Sequence, residues 1–438
     1  MSSGSTRFDS GARTWVRSAA FLVLLLLWPV FARAQNFSVR YVVSVDHPGR
    51  STVQVRWELA GIDEIEKISL RFRHAAPLNI EGSGELRRED DRRFVWQPRK
   101  PYARLSYRIE VNSPRGTQGR FDSYLGREWL VTRARQLFPL VAVHYRSPDP
   151  SVATPSNVSS RATLSFQVPA KWRCVSAYAA RSPNTFVLKG TRSFLTPRGW
   201  FACGTLVTDS REINGVHVEL ATVEDAQLNS EEIFSFLEVT FPLLQRLLGF
   251  SGDRILVVRA GDPMWHGGIS GEGSLFLHYN RPLRDPDKTS PYLHELFHVM
   301  QPFKPAADAD WFVEGLAEFY SLELQRRAGL LDGRAFQRGL RLFERYGLWD
   351  VDLRNQHDNA ATNNSAPLVL YALDQRIQRL TAGKARLDDV VRRLGQHNGR
   401  VDSAMFARAA EAVAGAPLSQ FFQRYVYAGQ IPKWNRFE

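Results

Sequence analysis

The chain has 438 residues, more than one hydrophobic core usually organises, so we expect roughly two or three packed units. Hydrophobic and aromatic residues make up 44% and 12% of the sequence, which is typical of a globular protein. Although the net charge is +12, the densest charged run, Glu85 to Phe94, alternates in sign and is typical of a solvated hairpin turn. We therefore expect no nucleic-acid partner.

Residues 1–34 have the pattern of a secretory signal peptide. Arginines precede an apolar run from Ala19 to Phe31, and Ala32-Arg33-Ala34 matches an A-x-A cleavage site. A retained membrane anchor is the alternative, but the run is shorter than the roughly 20 residues that a span needs, and Pro29 interrupts it. We expect cleavage, a mature chain that begins near Gln35, a periplasmic or extracellular location, and no stable membrane span afterwards.

The chain has two cysteines, Cys174 and Cys203, and both lie in strand-like segments. If the two strands are paired neighbours in an oxidising compartment, the cysteines can form a disulfide. Two buried free thiols are an equally open alternative. Neither cysteine has partners spaced for metal binding.

Residues 35–225 are predicted to form a β-rich region, an antiparallel β-sandwich. Segments between Asn36 and Val223 alternate apolar and polar residues, as strands with one buried face do, and turn-forming residues separate them. Examples are FSVRYVVSV, STVQVRWEL and RLSYRIEV. A stretch rich in proline at residues 147–155 predicts a break within this region.

Residues 226–438 are predicted to form a second domain that is first mixed and then mostly α-helical, and its motifs, described below, identify it as the candidate catalytic domain. A capping box that begins at Asn229 starts a long helix, and the apolar strands RILVVRA and SLFLHY follow. Ser290 as N-cap and Pro291 at the first helical position then start a helix that must end before Pro302. The predicted fold class is therefore multidomain α+β.

This last helix carries the pattern His-Glu-x-x-His, formed by His294, Glu295 and His298. Residues four apart share one face of a helix, so the two histidines can bind one zinc ion through ring nitrogens. Glu295 lies beside them and can act on a water molecule as a base. The pattern is only moderately specific, and two ordinary helical histidines are the alternative.

A catalytic zinc site needs a third protein ligand and one open coordination position. Glu314 can supply the ligand, because a short connection makes its helix an antiparallel neighbour of the motif helix, and Gly315 permits close approach. Glu318, one turn later, shares the same face and can accept the second N–H of a histidine ligand. The alternative for Glu318 is a solvent-facing carboxylate.

The run HELFHVMQPF followed by WFVEGLAEFY resembles the gluzincin metallopeptidases, whose third ligand is a Glu that precedes a Gly on the next helix. A closer resemblance is to the glycyl aminopeptidase family, through LVLYALDQRIQRLTAGKARLDDVVRRLG, LSQFFQRYVYAGQIP and the N-terminal FSVRYVVSVDHPGRSTVQVRWEL. This second resemblance covers most of the mature chain, but it is strong only from about Gly267 onward. Many members continue into a PDZ domain, and we expect this chain to be a member without one.

The resemblance implies a thermolysin-like catalytic domain with one zinc ion per chain, bound by His294, His298 and Glu314. Glu295 would take a proton from water and pass it to the leaving amine. The substrates would be peptides or proteins, with aminopeptidase action somewhat preferred over endopeptidase action. The oligomeric state is not predicted.

One departure from the family pattern concerns substrate binding. The family has a Gly-Gly-x-Glu segment whose Glu is suited to holding a free amine, and Ser270 stands at the Glu position here. Gly268 and Ser270 are therefore candidate substrate-binding residues, and Glu272 joins them if the strand is shifted by two residues. The alternative is a glycine-rich turn that opens the next strand.

A second departure concerns the donor to the oxyanion. Asn363 stands where the family has a tyrosine, so it is the first candidate, and Tyr371 and His278 are the others. Besides an active zinc peptidase, two hypotheses stay open. One is a catalytically impaired zinc-binding protein with a binding or regulatory role. The other, which depends on net charge alone, is a basic module that binds anionic polymers.

Overall fold

The computed structural model describes residues 35–146, 158–223, 229–397 and 399–434. The predicted signal peptide, the predicted break near residues 147–155 and the predicted boundary at residues 225 and 226 lie outside these ranges. Within them, no helix is both long enough and apolar enough to cross a membrane.

The N-terminal region consists of β-sheets. Its strands and short helix are, in chain order, β1 (Gln35–Ser44), β2 (Thr52–Ala60), β3 (Ile65–Arg71), β4 (Leu78–Gly82), β5 (Gly84–Arg88), β6 (Arg93–Pro98), β7 (Tyr102–Glu110), β8 (Ser113–Arg115), β9 (Arg120–Leu125), β10 (Trp129–Arg133), α1 (Ala134–Leu137), β11 (Leu140–Tyr145), β12 (Val158–Gln167), β13 (Arg173–Ser176), β14 (Ala179–Ser182), β15 (Thr185–Leu188) and β16 (Trp200–Gly204). The sheet orders are β14-β15-β12-β1-β2-β7-β4, β13-β16-β10-β9-β8 and β11-β3-β6-β5. Neighbouring strands are antiparallel except β1 and β12.

Alternation of apolar and polar residues builds the core of this region. Every second residue of β2 from Val53 to Leu59 is buried, whereas the residues between them stay partly exposed. Trp57 on this strand meets Tyr41 of β1 edge to face, with ring centroids 5.1 Å apart. The predicted β-sandwich region is confirmed.

Cys174 and Cys203 form a disulfide in the structure. They lie directly opposite each other on the antiparallel strands β13 and β16, with Cα atoms 4.1 Å apart. Of the two alternatives that the sequence left open, the structure contains the disulfide.

The C-terminal region begins with a mixed sheet and continues as helices. Its elements are β17 (Val207–Ile213), β18 (Val216–Thr222), α2 (Ser230–Leu248), β19 (Arg254–Ala260), β20 (Gly268–Gly271), β21 (Ser274–His278), α3 (Pro291–Met300), β22 (Lys304–Pro305), α4 (Asp310–Arg327), α5 (Gly333–Tyr346), α6 (Ala366–Leu380), α7 (Leu387–Gly395), β23 (Arg400–Val401), α8 (Ser403–Ala414) and α9 (Ser419–Phe422). The sheet order is β17-β18-β19-β21-β20. Because β18 pairs in parallel with β19, this sheet joins strands from both sides of the predicted boundary.

The strand β19 is buried on both faces and connects the two regions. Val257 packs with the helices of the C-terminal region. Leu256 and Val258 point the other way and pack with Val131 and Trp200 of the N-terminal sheets. A strand covered on both faces is apolar throughout, as RILVVRA is. The N-terminal region therefore lies against the sheet that leads into α3.

Candidate metal centre and cleft

The helix α3 has the ends that the sequence predicts. The hydroxyl of Ser290 accepts a hydrogen bond from the backbone N–H of Leu293 at 3.4 Å, and Pro291 is the first helical residue. The helix ends at Met300, before Pro302. The whole His-Glu-x-x-His pattern therefore lies within one regular helix.

Three side chains meet between α3 and α4. Nε2 of His294 lies 3.1 Å from Nε2 of His298, and Oε2 of Glu314 lies 3.3 Å from the first nitrogen and 3.4 Å from the second. The three atoms form a nearly equilateral triangle. Burial opposes ionisation of Glu314, but the imidazoles of His298 and His294 outweigh it and hold the pKa of its carboxyl well below the usual range.

This triangle has the dimensions of one face of a zinc coordination tetrahedron. With metal–ligand bonds of about 2.0–2.2 Å, tetrahedral ligand atoms lie about 3.3–3.6 Å apart, which is within a few tenths of an ångström of the distances here. Two imidazoles and one carboxylate are also a common ligand set of catalytic zinc, and three protein ligands leave the fourth position open. The residues present therefore fit a zinc ion without rearrangement.

Glu318 lies behind His294, on the side of the ring away from the triangle. Its Oε1 is 3.3 Å from Nδ1 of His294, and its side chain is 20% exposed, which argues against the solvent-facing alternative. A carboxylate at this place keeps the proton on Nδ1 and leaves Nε2 free to bind a metal. The structure thus places Glu318 where the sequence predicts it.

Glu295 is the buried carboxylate beside the triangle. Burial raises the pKa of its carboxyl, which the nearby His294 and His298 partly oppose. A β-carbon on Gly268 would lie 2.6 Å from Oε1 and 2.7 Å from Cγ of Glu295, so only glycine leaves room for this side chain. The structure therefore places Gly268 against Glu295, where it makes space for that carboxylate.

The three potential ligands open onto a cleft of about 460 Å³. Arg115 of β8 reaches into it from the N-terminal region, stacked over Trp265 at 4.3 Å and bonded to Asp122 at 3.2 Å. The carboxylates in the lining outnumber the guanidinium groups: Asp285, Glu295, Asp310, Glu314, Glu318 and Asp358 stand against Arg115 and Arg281. No local sequence pattern points to Arg115, Arg281 or Asp285, because each reaches the cleft only through the packing of distant segments.

Ser270 and Asn363 also line this cleft. Ser270 lies on β20, two residues beyond Gly268. Asn363 lies on a π-helical turn, Ala361–Ser365, that leads directly into α6, and such turns occur frequently at functional sites. The structure therefore brings Asn363 to the cleft, as the family resemblance implies.

No protein-family model matches the sequence, and no curated protein matches it. Solved structures do. An aminopeptidase N family protein from Idiomarina loihiensis matches with a TM-score of 0.69 at 13% identity, over 90% of this chain and 77% of that one. An M1 zinc metallopeptidase from Deinococcus radiodurans matches with a TM-score of 0.61 at 16% identity, over 92% and 95%. Aminopeptidase A from Legionella pneumophila matches with a TM-score of 0.56 at 13% identity, over 89% and 49%.

The chain has the M1 zinc metallopeptidase fold. This confirms the predicted fold class, multidomain α+β with a β-rich N-terminal region followed by a mixed and then mostly helical C-terminal region. The narrower resemblance to the glycyl aminopeptidase family stays a prediction.

Within this M1 fold, two predicted residues lie away from the cleft. Tyr371 of α6 packs on Phe319 and Phe336, with ring centroids 6.3 Å and 5.8 Å away, and it does not line the cleft. Glu272, in the turn after β20, pairs with Arg198 at 2.5 Å and does not line the cleft. Both corrections have one cause: in the folded chain these residues contact side chains outside the cleft, namely two phenylalanines and Arg198.

His278 also lies outside the cleft, buried at the end of β21 beside His266, with ring centroids 4.1 Å apart. Burial, aided by His266, lowers the pKa of His278 to about 4. With Asp262 the two histidines form a second group of potential ligands. However, the backbone N–H of Asn280 donates to Nδ1 of His278, which leaves the proton on Nε2, so this ring is not prepared to bind a metal.

Gly315 permits a close approach, but of a different helix from the one that the sequence suggested. A β-carbon on Gly315 would lie 2.8 Å from Cβ of Ala366 and 2.8 Å from Cδ1 of Leu370. Both residues belong to α6. Gly315 therefore lets α6 pack directly on α4, and this packing holds the π-helical turn with Asn363 near the metal ligands.

Proposed function

We propose that this chain is a zinc-dependent peptidase with one zinc ion per chain, held by His294, His298 and Glu314. The observation that carries the proposal is the triangle of ligand atoms, 3.1–3.4 Å on each side, beside the buried Glu295. Solved proteins with this fold are named zinc metallopeptidases and aminopeptidases, which supports the same class here.

Each residue of the site has a part in peptide hydrolysis. A bound zinc ion supplies Lewis acidity towards water and towards the scissile carbonyl. Glu295, whose pKa burial raises, takes a proton from the attacking water and delivers it to the leaving amine. Glu318 keeps His294 oriented, and the amide of Asn363 offers a neutral N–H donor to the developing oxyanion.

The charge of the cleft favours aminopeptidase action. Asp310 and Glu318 add negative charge around the metal ligands, whereas Asp285 is paired with Arg281, and a free α-amine is positively charged. Burial raises the pKa of Asp285 to about 6, which the bonded Arg281 partly opposes. A Deinococcus radiodurans enzyme with this fold has been solved as a mutant bound to Tyr-Ser-Ala substrate. A short peptide bound by its N-terminus is the substrate class that we propose.

The proposed place of action is outside the cytoplasm. The signal-peptide pattern in residues 1–34 supports export, and the Cys174–Cys203 disulfide is typical of an oxidising compartment. Fractionation of cells that produce the full chain, with N-terminal sequencing of the mature protein, tests this. A protein that keeps residues 1–34 and stays in the cytoplasm would contradict it.

The test of the function is Glu295→Gln, measured for zinc content and for turnover of a mixed peptide library. We expect the variant to keep one zinc per chain and to lose about 10²–10⁴-fold in turnover, because the carboxylate acts on water and does not bind the metal. Equal loss of zinc and turnover would make Glu295 structural. Mass spectrometry of the wild-type products separates single N-terminal residues, which we expect, from internal fragments.

A zinc-binding protein with little turnover is the second candidate. Asn363 favours it, because this position lines the cleft without the tyrosine hydroxyl that the family resemblance implies. Wild-type protein that binds zinc and peptides but forms no products over many hours would support this candidate.

A further inference from the structure

A second cavity, of about 320 Å³, adjoins the cleft. Arginine side chains dominate its polar lining: Arg73, Arg133, Arg135, Arg192 and Arg198. Among the described residues of its lining, the one carboxylate is Glu272. We call this space the arginine cavity.

Most of this positive charge is not neutralised within the protein. Arg198 pairs with Glu272 at 2.5 Å, and the buried Arg133 makes a long contact of 3.5 Å with Asp122. In the described ranges, the other three arginines of the cavity have no carboxylate within ion-pairing distance. The pKa of Arg133 is lowered to about 10, mainly by burial and to a lesser extent by repulsion from Arg135. A cavity with this surplus attracts an anion, and arginine is suited to binding carboxylates in pairs of hydrogen bonds.

The arginine cavity is continuous with the metal cleft. Ser270 lines both spaces, and Asp122 lies between them, bonded to Arg115 of the cleft and to Arg133 of the cavity. The strand β20 runs from Gly268, which touches Glu295, to Gly271, which lines the cavity. Three residue steps of extended chain span about 10 Å. A peptide whose scissile bond lies beside Glu295 can therefore reach the arginines with a group two or three residues away.

From this arrangement, and resting on the proposed peptidase function, we infer that the arginine cavity is a subsite for a carboxylate of the substrate. The cleft is negatively charged and the cavity positively charged, so a peptide with its amine in one and a carboxylate in the other matches both. The carboxylate is either an acidic side chain two or three residues from the scissile bond or the C-terminus of a short peptide.

The experiment compares kcat/KM for matched peptides with Glu or Gln at the second and third positions from the scissile bond, each with a free or amidated C-terminus. For wild type we expect the acidic form to be preferred by about tenfold or more, the value of one charged hydrogen bond. The double variant Arg73→Gln/Arg135→Gln should reduce this ratio to about one. Both arginines are exposed and make no ion pair among the described residues, so the fold should tolerate the change. Arg338→Gln, an exposed arginine on α5, is the matched control and should keep the ratio.

The outcomes separate this inference from the proposed function. Sensitivity to Glu→Gln identifies a side-chain carboxylate, and sensitivity to amidation identifies the C-terminus. Turnover with no acid preference, or a preference that the double variant keeps, overturns the inference and leaves the proposed function standing. If wild type cleaves no peptide, the proposed function fails. In that case calorimetry measures the affinity of the same peptides for the zinc-loaded Glu295→Gln variant. Equal affinities for acidic peptides and for amidated neutral peptides would refute the inference that the arginine cavity binds a carboxylate.

Discussion

Replacing Gly268 by alanine should disable the catalytic base while leaving the metal in place. The new β-carbon would lie 2.6 Å from Oε1 of Glu295, and an ordinary contact begins at 3.4 Å, so the carboxylate must move by about 0.8 Å. The new β-carbon would also lie 2.8 Å from Cδ2 of Leu277, so the backbone of Gly268 cannot relieve the clash by shifting towards Leu277. A misplacement of about 1 Å typically costs about 10²-fold in rate, which is about 2.7 kcal/mol in the activation barrier.

The assay is steady-state kinetics of Gly268→Ala on one peptide, together with zinc content and thermal unfolding. We expect kcat to fall about 10²-fold with zinc content unchanged, because the three atoms nearest to the new β-carbon belong to Glu295 and Leu277 and not to the zinc ligands. Gly333→Ala is the matched control, since a β-carbon there meets nothing within 4 Å. Wild-type kcat in a zinc-loaded Gly268→Ala protein would refute this account of how Glu295 is held.

Further substitutions test the zinc ligands, the donor to the oxyanion and the disulfide. His298→Ala should lose its zinc, which metal analysis measures, and unchanged zinc content would contradict the ligand set. Asn363→Tyr should raise kcat by about 10²-fold or more with little change in KM, whereas Tyr371→Phe should leave both unchanged because that ring packs on Phe319. Loss of the disulfide in Cys174→Ala/Cys203→Ala should lower the free energy of unfolding by about 3–4 kcal/mol for a 29-residue separation, measured in urea against wild type.

The sequence alone determined what depends on neighbours along the chain. His294 and His298 share a helix face because the helix repeats every 3.6 residues, and Ser290 and Pro291 start that helix through local hydrogen bonding and a fixed backbone angle. The buried face of β2 follows from alternation in the same way. Glu314 was also predictable, because the connection between α3 and α4 is too short for any arrangement other than adjacent helices.

Only the tertiary structure decided which distant groups meet. From the sequence, Tyr371 and Glu272 were candidate site residues. In the structure Tyr371 packs against aromatic rings of α4 and α5, and Glu272 pairs with Arg198. Nothing in the sequence indicated that Gly268 makes room for Glu295, or that Arg115 enters the cleft from the N-terminal region. Such contacts join residues far apart in the chain, and the packing of whole sheets and helices sets their distances. Local patterns carry no information about that packing, so the charge of the cleft and of the arginine cavity emerges only in the folded molecule.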